Sequence, residues 1–320
     1  MSSHKPVLFF TSLLFFGISF SQVRWVNADK DFGDLPVSMH VFVSTDSIEG
    51  MPSVAYYARI RLKDKKLQFT TDSSYKRRLT PSQFFEKNGQ PLLVVNGTFF
   101  DFASNRNLNI LIRDGKLIAY NVHDVILKGK DSGSFYKVTR SAIGIKGNRK
   151  ADVAWIFSDS AVKKASAFQK IPSPWKANSS GYTKKDFEQH YGEAGDRWKV
   201  KTAIGGGPVL VQEGKQVITN DEERMFTGKA RHDRHPRTAM GYTADGDLIV
   251  LVVEGRNKGI AEGASLVHLA GMLVDLGCVE ALNLDGGGSS CMLINGKQTI
   301  KPSDREGQRP VPGVFIVQSR

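Results

Sequence analysis

Residues 25–90 restrict the fold more than any other stretch, because apolar and polar residues alternate there in short runs, "MHVFVSTD", "VAYYARIRL" and "LQFTTD", separated by polar turns. Alternation with a period of two is the pattern of half-buried strands. The same grammar continues downstream. "LNILIRDGKLIAY" reads as a hairpin turning at Asp114-Gly115, "SAIGIKGNRKADVAWIF" as a second across "KGNRK", and "RTAMGYTADGDLIVLVVEGR" as a third at Asp245-Gly246. An Asp-Gly pair suits such turns because both residues tolerate positive φ. "PLLVVNGTFFDF", "VEALNLD" and "GVFIVQS" read as buried strands. Helical signals occur in three places. Thr80 caps a short helix with Pro81 in its first turn and Asn88-Gly89 at its end, and residues 184–191 carry another. Leu266, Leu269, Ala270, Leu273 and Leu276 line one face of the third, with Ser265 as its cap. Strands outnumber helices and no regular strand–helix–strand alternation appears. The expected class is α+β, with a largely antiparallel or mixed β-sheet core and a few packed helices.

The first 21 residues stand outside this grammar. "MSSHKPVLFFTSLLFFGISFSQ" has one cation, Lys5, an apolar core over residues 7–20, and small residues at Ser19 and Ser21. That is the layout of a secretory signal peptide cut after Ser21. Its apolar core falls short of the roughly 20 residues that span a bilayer, and no cysteine stands at the cut to carry a lipid. The expectation is an exported protein, periplasmic or extracellular, without integral membrane association. Residues 22–90 are then a β-rich segment packed on a main domain of residues 91–320. Residues 158–199 form a long polar, aromatic-rich excursion, either a lid over a cleft or a plain surface insertion.

The formal net charge is +12, and the signal segment contributes only Lys5 to it. The basic residues are spread, with short clusters in "RLKDKK", "YKRR" and "RHDRHPR". No helix-turn-helix, zinc or RNA-binding signature accompanies them, so nucleic acid is not an expected partner. An anionic substrate or an acidic envelope polymer suits an exported chain better, and part of the surplus is solvated surface. Cys278 and Cys291, the only cysteines, are too few for a disulfide scaffold and could form one bridge if the geometry allows.

Chemistry concentrates where strands give way to glycine. Four turns share this form: Asn96-Gly97, Gly205-Gly206-Gly207-Pro208, Glu254-Gly255-Arg256, and Asp285-Gly286-Gly287-Gly288. A strand end holds a side chain rigidly, while bare glycine backbone admits a ligand and offers N–H donors to an anion. Arg237 and Arg256 supply the planar donors that match a phosphate two bonds at a time. The 205–207 turn is not a dinucleotide fingerprint, because its spacing differs and no helix follows. Ser289 and Ser290 lack the setting of a nucleophile elbow and read as hydrogen-bond donors. His232 and His235 lie beside Asp233 without a tight two-histidine pattern on one element. No metal or cofactor is expected.

"NGTFF", "AIGGGPVLVQEGK", "RTAMGYTADGDLIVLVVEGR", "GASLVHLAGMLVDLGC" and "ALNLDGGGSSCML" resemble, in order, the motifs of the phosphodiester glycosidase family. The resemblance runs from about residue 92 to the C-terminus, is most specific in its last third, and is weak over residues 22–90. It implies hydrolysis of a sugar-1-phosphodiester on the glycosidic side, releasing free sugar and a phosphomonoester. The implied site comprises Asn96, the Gly205, Gly206 and Gly207 turn, Arg237, Glu254, Arg256 and Asp285 with its glycine loop. Asp285 and Glu254 are the candidate catalytic pair, since glycosidic cleavage generally uses two carboxyl groups; Arg237 and Arg256 would neutralise the leaving phosphate. Two positions depart from the family pattern: Glu254 where Asp is common, and Cys291 where Thr is usual. Two other readings stay open. One is a non-catalytic protein that binds anionic polysaccharide through the same turns. The other is a metal-dependent phosphodiesterase built on "RHDRHPR".

Overall fold

The computed structural model of the chain describes residues 23–320 apart from 128, 182 and 230, so the export signal expected at residues 1–21 lies outside the described residues. The largest sheet has eight strands, in the order Val26–Asn27, Met39–Ser44, Ala55–Arg61, Asp247–Val253, Arg237–Thr243, Cys278–Asn283, Val209–Gln212 and Lys215–Gln216. Its centre explains its sequence. Asp247–Val253 is buried along its whole length, which is why "LIVLVV" is continuously apolar rather than alternating. Val250 and Val252 face one core, while Ile249, Leu251 and Val253 face another.

A five-stranded sheet, ordered Lys297–Gln298, Met292–Ile294, Leu93–Asn96, Gly313–Ser319 and Leu67–Ser73, stands next to it. A seven-stranded sheet runs through Asp196–Arg197, Lys164–Phe168, Ala151–Asp159, Arg140–Lys146, Val200–Gly205, Leu111–Arg113 and Lys116–Ala119. The three sheets share one core, where Val250 and Leu282 meet Val95, Phe315, Ile143 and Ile204. Every named strand pair is antiparallel, including Arg237–Thr243 with both Asp247–Val253 and Cys278–Asn283. No described helix is long and apolar enough to cross a membrane.

Three α-helices are described: α1 (Pro81–Lys87), α2 (Lys184–Tyr191) and α3 (Leu266–Asp275). Each starts with a capping hydroxyl, from Thr80, Thr183 and Ser265, which accepts from an otherwise orphaned N–H. The α3 helix covers the outer face of the main sheet with Leu266, Leu269 and Leu273, all fully buried. Truncating one of these to Ala costs about 2–5 kcal/mol. The expectation of α+β therefore holds only in part: the molecule is sheet-dominated, and its helices are short coverings.

Strands Met39–Ser44 and Ala55–Arg61 extend the main sheet beside Asp247–Val253, and Leu67–Ser73 pairs with Gly313–Ser319. The 158–199 excursion contains strand Lys164–Phe168, paired with Ala151–Asp159, besides α2. Phe168, Trp175 and Tyr191 gather around Phe187 to give it a small aromatic core. Cys278 and Cys291 are free and buried, and burial pushes both thiols up to about 12.

Candidate functional site

Register brings the candidate residues to one end of the main sheet. Arg237 opens its strand opposite Val253, which precedes Glu254, and Ala239 pairs with Asn283, two residues before Asp285. Beyond Asn283 the chain is strapped to both neighbours. Leu284 N–H donates to Thr238 O at 2.8 Å, Asp285 N–H to Gly97 O at 2.9 Å, and Asn96 Nδ2 to Asp285 O at 2.6 Å. Asn96 is fully buried, and its Oδ1 accepts from Thr238 Oγ1 at 2.9 Å and Cys291 N–H at 3.0 Å. Its amide thus clamps the Asp285 backbone between two sheets.

The Gly205, Gly206 and Gly207 turn differs from its expected form. Its three N–H groups donate to Ile110 O, Ser141 O and Asn283 O at 2.8, 3.0 and 2.8 Å, so the donors expected to face a ligand close on protein carbonyls. A methyl on residue 206 would overlap the Asn283 carbonyl oxygen. Glycine is needed here because two backbones cross at contact distance.

The Asp285 loop is a single tight turn. Gly286 N–H donates to Asp285 Oδ1 at 3.0 Å, Gly287 N–H to Pro236 O at 2.8 Å, and Ser289 and Ser290 N–H to Gly286 O and Gly287 O at 3.2 Å. Gly287 has φ +61°, in the left-handed region glycine tolerates. Ser290 Oγ accepts from Thr238 Oγ1 at 3.2 Å. Ser289 is 1% exposed, and its Oγ closes no hydrogen bond of ordinary geometry, although its proximity pulls the Asp285 carboxyl downward. Burial outweighs that pull, the Gly286 N–H and the Arg309 charge, and raises Asp285 to about 7. Asp285 itself is half-buried and keeps part of its surface open.

Two further guanidinium groups lie at the same end of the sheet. A Cβ on Gly287 would stand 3.0 Å from Arg256 Nη2, so that guanidinium lies against the loop. Arg256 itself has φ +60°, an uncommon backbone for a non-glycine residue and the kind of strain that gathers at functional sites. Among the described residues no hydrogen bond or ion pair engages its exposed guanidinium. Arg237 is buried, donates from Nε to Ala264 O and from Nη2 to Asp233 O, both at 3.0 Å, and rests over Phe226. Burial first, then the Arg256 charge, bring it down to about 10. Two guanidinium groups that repel one another in a half-dry place favour an anion between them.

Glu254 is buried, its Oε1 accepting from Asn257 Nδ2 and its Oε2 from Lys301 N–H, both at 2.9 Å. It ties the Glu-Gly-Arg turn to residues 301–309. His235 pairs through its backbone with Ala264, and burial, then Arg237 and Arg256, depress its imidazole. His232 is exposed. Among the described residues no three of His, Cys, Asp and Glu gather as a metal site.

Three neighbours carried no local signal. Arg309 forms a two-bond pair with Asp304 at 2.7 and 2.9 Å that packs where a Gly288 side chain would be. Phe99 meets Phe226 edge-on and so extends the wall beneath Arg237. Glu223, fully buried, accepts from Ser141 N–H and Oγ, Trp155 Nε1, Val209 N–H and Thr219 Oγ1. Burial raises it, and its five donors lock the turn at Gly207 to the seven-stranded sheet.

Antiparallel strand ends thus bring a carboxyl raised to about 7 and two mutually repelling guanidinium groups to one end of the main sheet. The chain belongs to the phosphodiester glycosidase family, whose model matches residues 89–318. Human N-acetylglucosamine-1-phosphodiester α-N-acetylglucosaminidase is 37% identical over 104 residues, and the mouse protein of the same name 38% over 103; each match covers 32% of this chain and 19% of the relative. The matched stretch therefore spans about a fifth of those relatives' length. The fold is similar to that of the zebrafish N-acetylglucosamine-1-phosphodiester α-N-acetylglucosaminidase catalytic domain, with TM-score 0.59 and 21% identity over 94% of this chain and 89% of that one. A hypothetical protein from Synechocystis shares it too, with TM-score 0.58 and 16% identity over 88% of this chain and 62% of that one.

Proposed function

We propose that the protein is an exported hydrolase that cleaves the glycosidic bond of a sugar-1-phosphodiester, giving free sugar and a phosphomonoester. The observation that carries this reading is Asp285, a carboxyl raised to about 7 by burial, two residues before Gly287, against which the guanidinium of Arg256 lies. A phosphomonoester has its second pKa near 6, so donor and leaving oxygen are closely matched, the condition under which general acid catalysis is efficient. The C1–O bond breaks with its electrons staying on the phosphate. Asp285 gives that oxygen a proton, and the carboxylate left behind takes one from the water whose oxygen bonds to C1. Arg256 and Arg237 screen the phosphate charge as the bond breaks. Glu254, with both oxygens held, positions the Arg256 turn. Residues 1–21 support export, and a sugar–phosphate glycan or envelope polymer suits the cationic surface.

The test is hydrolysis of a panel of sugar-1-phosphodiesters, with product analysis, beside Asp285→Asn and Glu254→Gln. Free sugar and phosphomonoester are expected, with turnover abolished in Asp285→Asn and reduced about 10²-fold or more in Glu254→Gln if its turn positions the phosphate donors. Release of sugar-1-phosphate, with loss of activity in chelator, would overturn the reading in favour of a phosphodiesterase. Binding without turnover across the panel would make the protein a polysaccharide-binding one.

A further inference from the structure

The loop that leaves Gly97, the partner of the Asp285 amide, travels away from the candidate site before rejoining the sheets near Asn109. Its far limb is one side of a groove of about 630 Å³, which Ser73, Tyr75, Lys76 and Tyr120 also line. That volume falls within the roughly 300–1,000 Å³ typical of small-ligand sites. The groove is tied to the candidate site by two links. Asn107 bridges them, accepting from Thr98 Oγ1 at 2.5 Å and donating to Ser73 Oγ at 3.3 Å. Phe102, exposed at the loop tip, has Arg309 over its ring at 5.5 Å and Arg78 at 5.2 Å.

The groove carries what a sugar–phosphate unit needs. Lys76 and Arg106 line it, both exposed, and among the described residues neither has a carboxylate partner. Asn105 also lines the groove, with its Oδ1 enclosed in the wall rather than open to it. Tyr75, 75% exposed, and Tyr120 add aromatic surface, on which apolar sugar faces rest. Tyr75, Lys76 and Asn105 all have positive φ, at 39°, 56° and 56°, so both sides of the groove hold uncommon backbone.

We propose that this groove is a second binding site for the substrate chain, in which Lys76 and Arg106 hold a phosphate and Tyr75 and Tyr120 support a sugar ring. The inference rests on the reading of the protein as a sugar-1-phosphodiester hydrolase, and adds that its substrate is a polymer of repeating sugar–phosphate units. The groove then holds a unit beyond the bond being cut and raises capture of long chains over single diesters.

The test compares N-acetylglucosamine 1-(methyl phosphate) with a fluorescent tetramer of N-acetylglucosamine joined by 1-phosphodiester links. Lys76→Ala with Arg106→Ala should raise KM for the tetramer tenfold or more while kcat/KM for the methyl diester stays within twofold. Tetramer binding, read by anisotropy in Asp285→Asn protein to prevent turnover, should weaken by the same factor. Lys76→Arg with Arg106→Lys should bind as the parent does. Tetramer affinity unchanged by the double alanine variant, no tetramer binding at all, or equal losses on both substrates would each overturn the proposal. If the parent hydrolyses neither compound, the hydrolase reading falls, while the anisotropy series still decides whether the groove holds the chain.

Discussion

Asp285 is held in a place that disfavours its own ionised form. Burial raises its folded-state value to about 7 from an ordinary 3.8, so between those limits the folded protein holds a proton that the unfolded chain releases. Stability therefore falls as pH rises from about 4 through 7, and the cost is complete above 7. Asp285→Asn removes the ionisation. The variant should melt higher than the parent at pH 8, by a margin that shrinks towards pH 4, while its hydrolysis is lost. Thermal melts of both proteins across that range check it; equal melting curves at pH 8 would mean the carboxyl is not desolvated. Activity of the parent should decline above about pH 7 as the acid form disappears, and a rate that rises instead would recast Asp285 as the base.

Among the elements, the glycine turns separate packing from function. A methyl on Gly206 meets the Asn283 carbonyl, whereas one on Gly288 meets the Arg309 and Asp304 side-chain ends. Backbone cannot step aside, so Gly206→Ala should destabilise by roughly 1–3 kcal/mol or more. Side-chain ends can, so Gly288→Ala should keep its melting temperature within a few degrees yet lose turnover as Arg309 shifts beside Asp285. Melting and kinetics on the two variants distinguish these outcomes; matched losses in both would place residues 286–288 in the scaffold. The sequence alone shows both turns as a strand end followed by glycines, and nothing local says which faces a ligand. Strands, hairpins and all three capped helices were legible because their signals sit within a few residues, as with Thr80 and Gln83. Glu223 was not. In "TNDEERMF" it looks solvated, and its five donors come from residues 4 to 82 positions away. Strand Lys164–Phe168 was not legible for a different reason: it forms a local hairpin with Ala151–Asp159, but its turn, "SAVK", holds no Gly, Pro, Asn or Asp to mark it.

For the whole molecule the question is where the +12 surplus acts. Exposed pairs such as Lys176–Asp131, at 3.1 Å, contribute at most about 1 kcal/mol each and do not use that surplus. At physiological salt, exposed charges more than about 8 Å from a substrate are largely screened, so spread lysines steer weakly. Arg237 and Arg256 act differently: they repel each other, and while Arg237 is buried, Arg256 is exposed at the mouth of the pair, where salt reaches it. Raising salt from 50 to 500 mM should therefore increase KM for a singly charged diester several-fold and leave kcat unchanged. Arg256→Ala should lower kcat/KM by about 10²–10³, and its residual activity should be nearly independent of salt, because the local field that salt weakens is gone. A salt response that survives in Arg256→Ala would locate the attraction in the spread surface charge, and the paired guanidinium groups would then serve to position the phosphate rather than to draw it in.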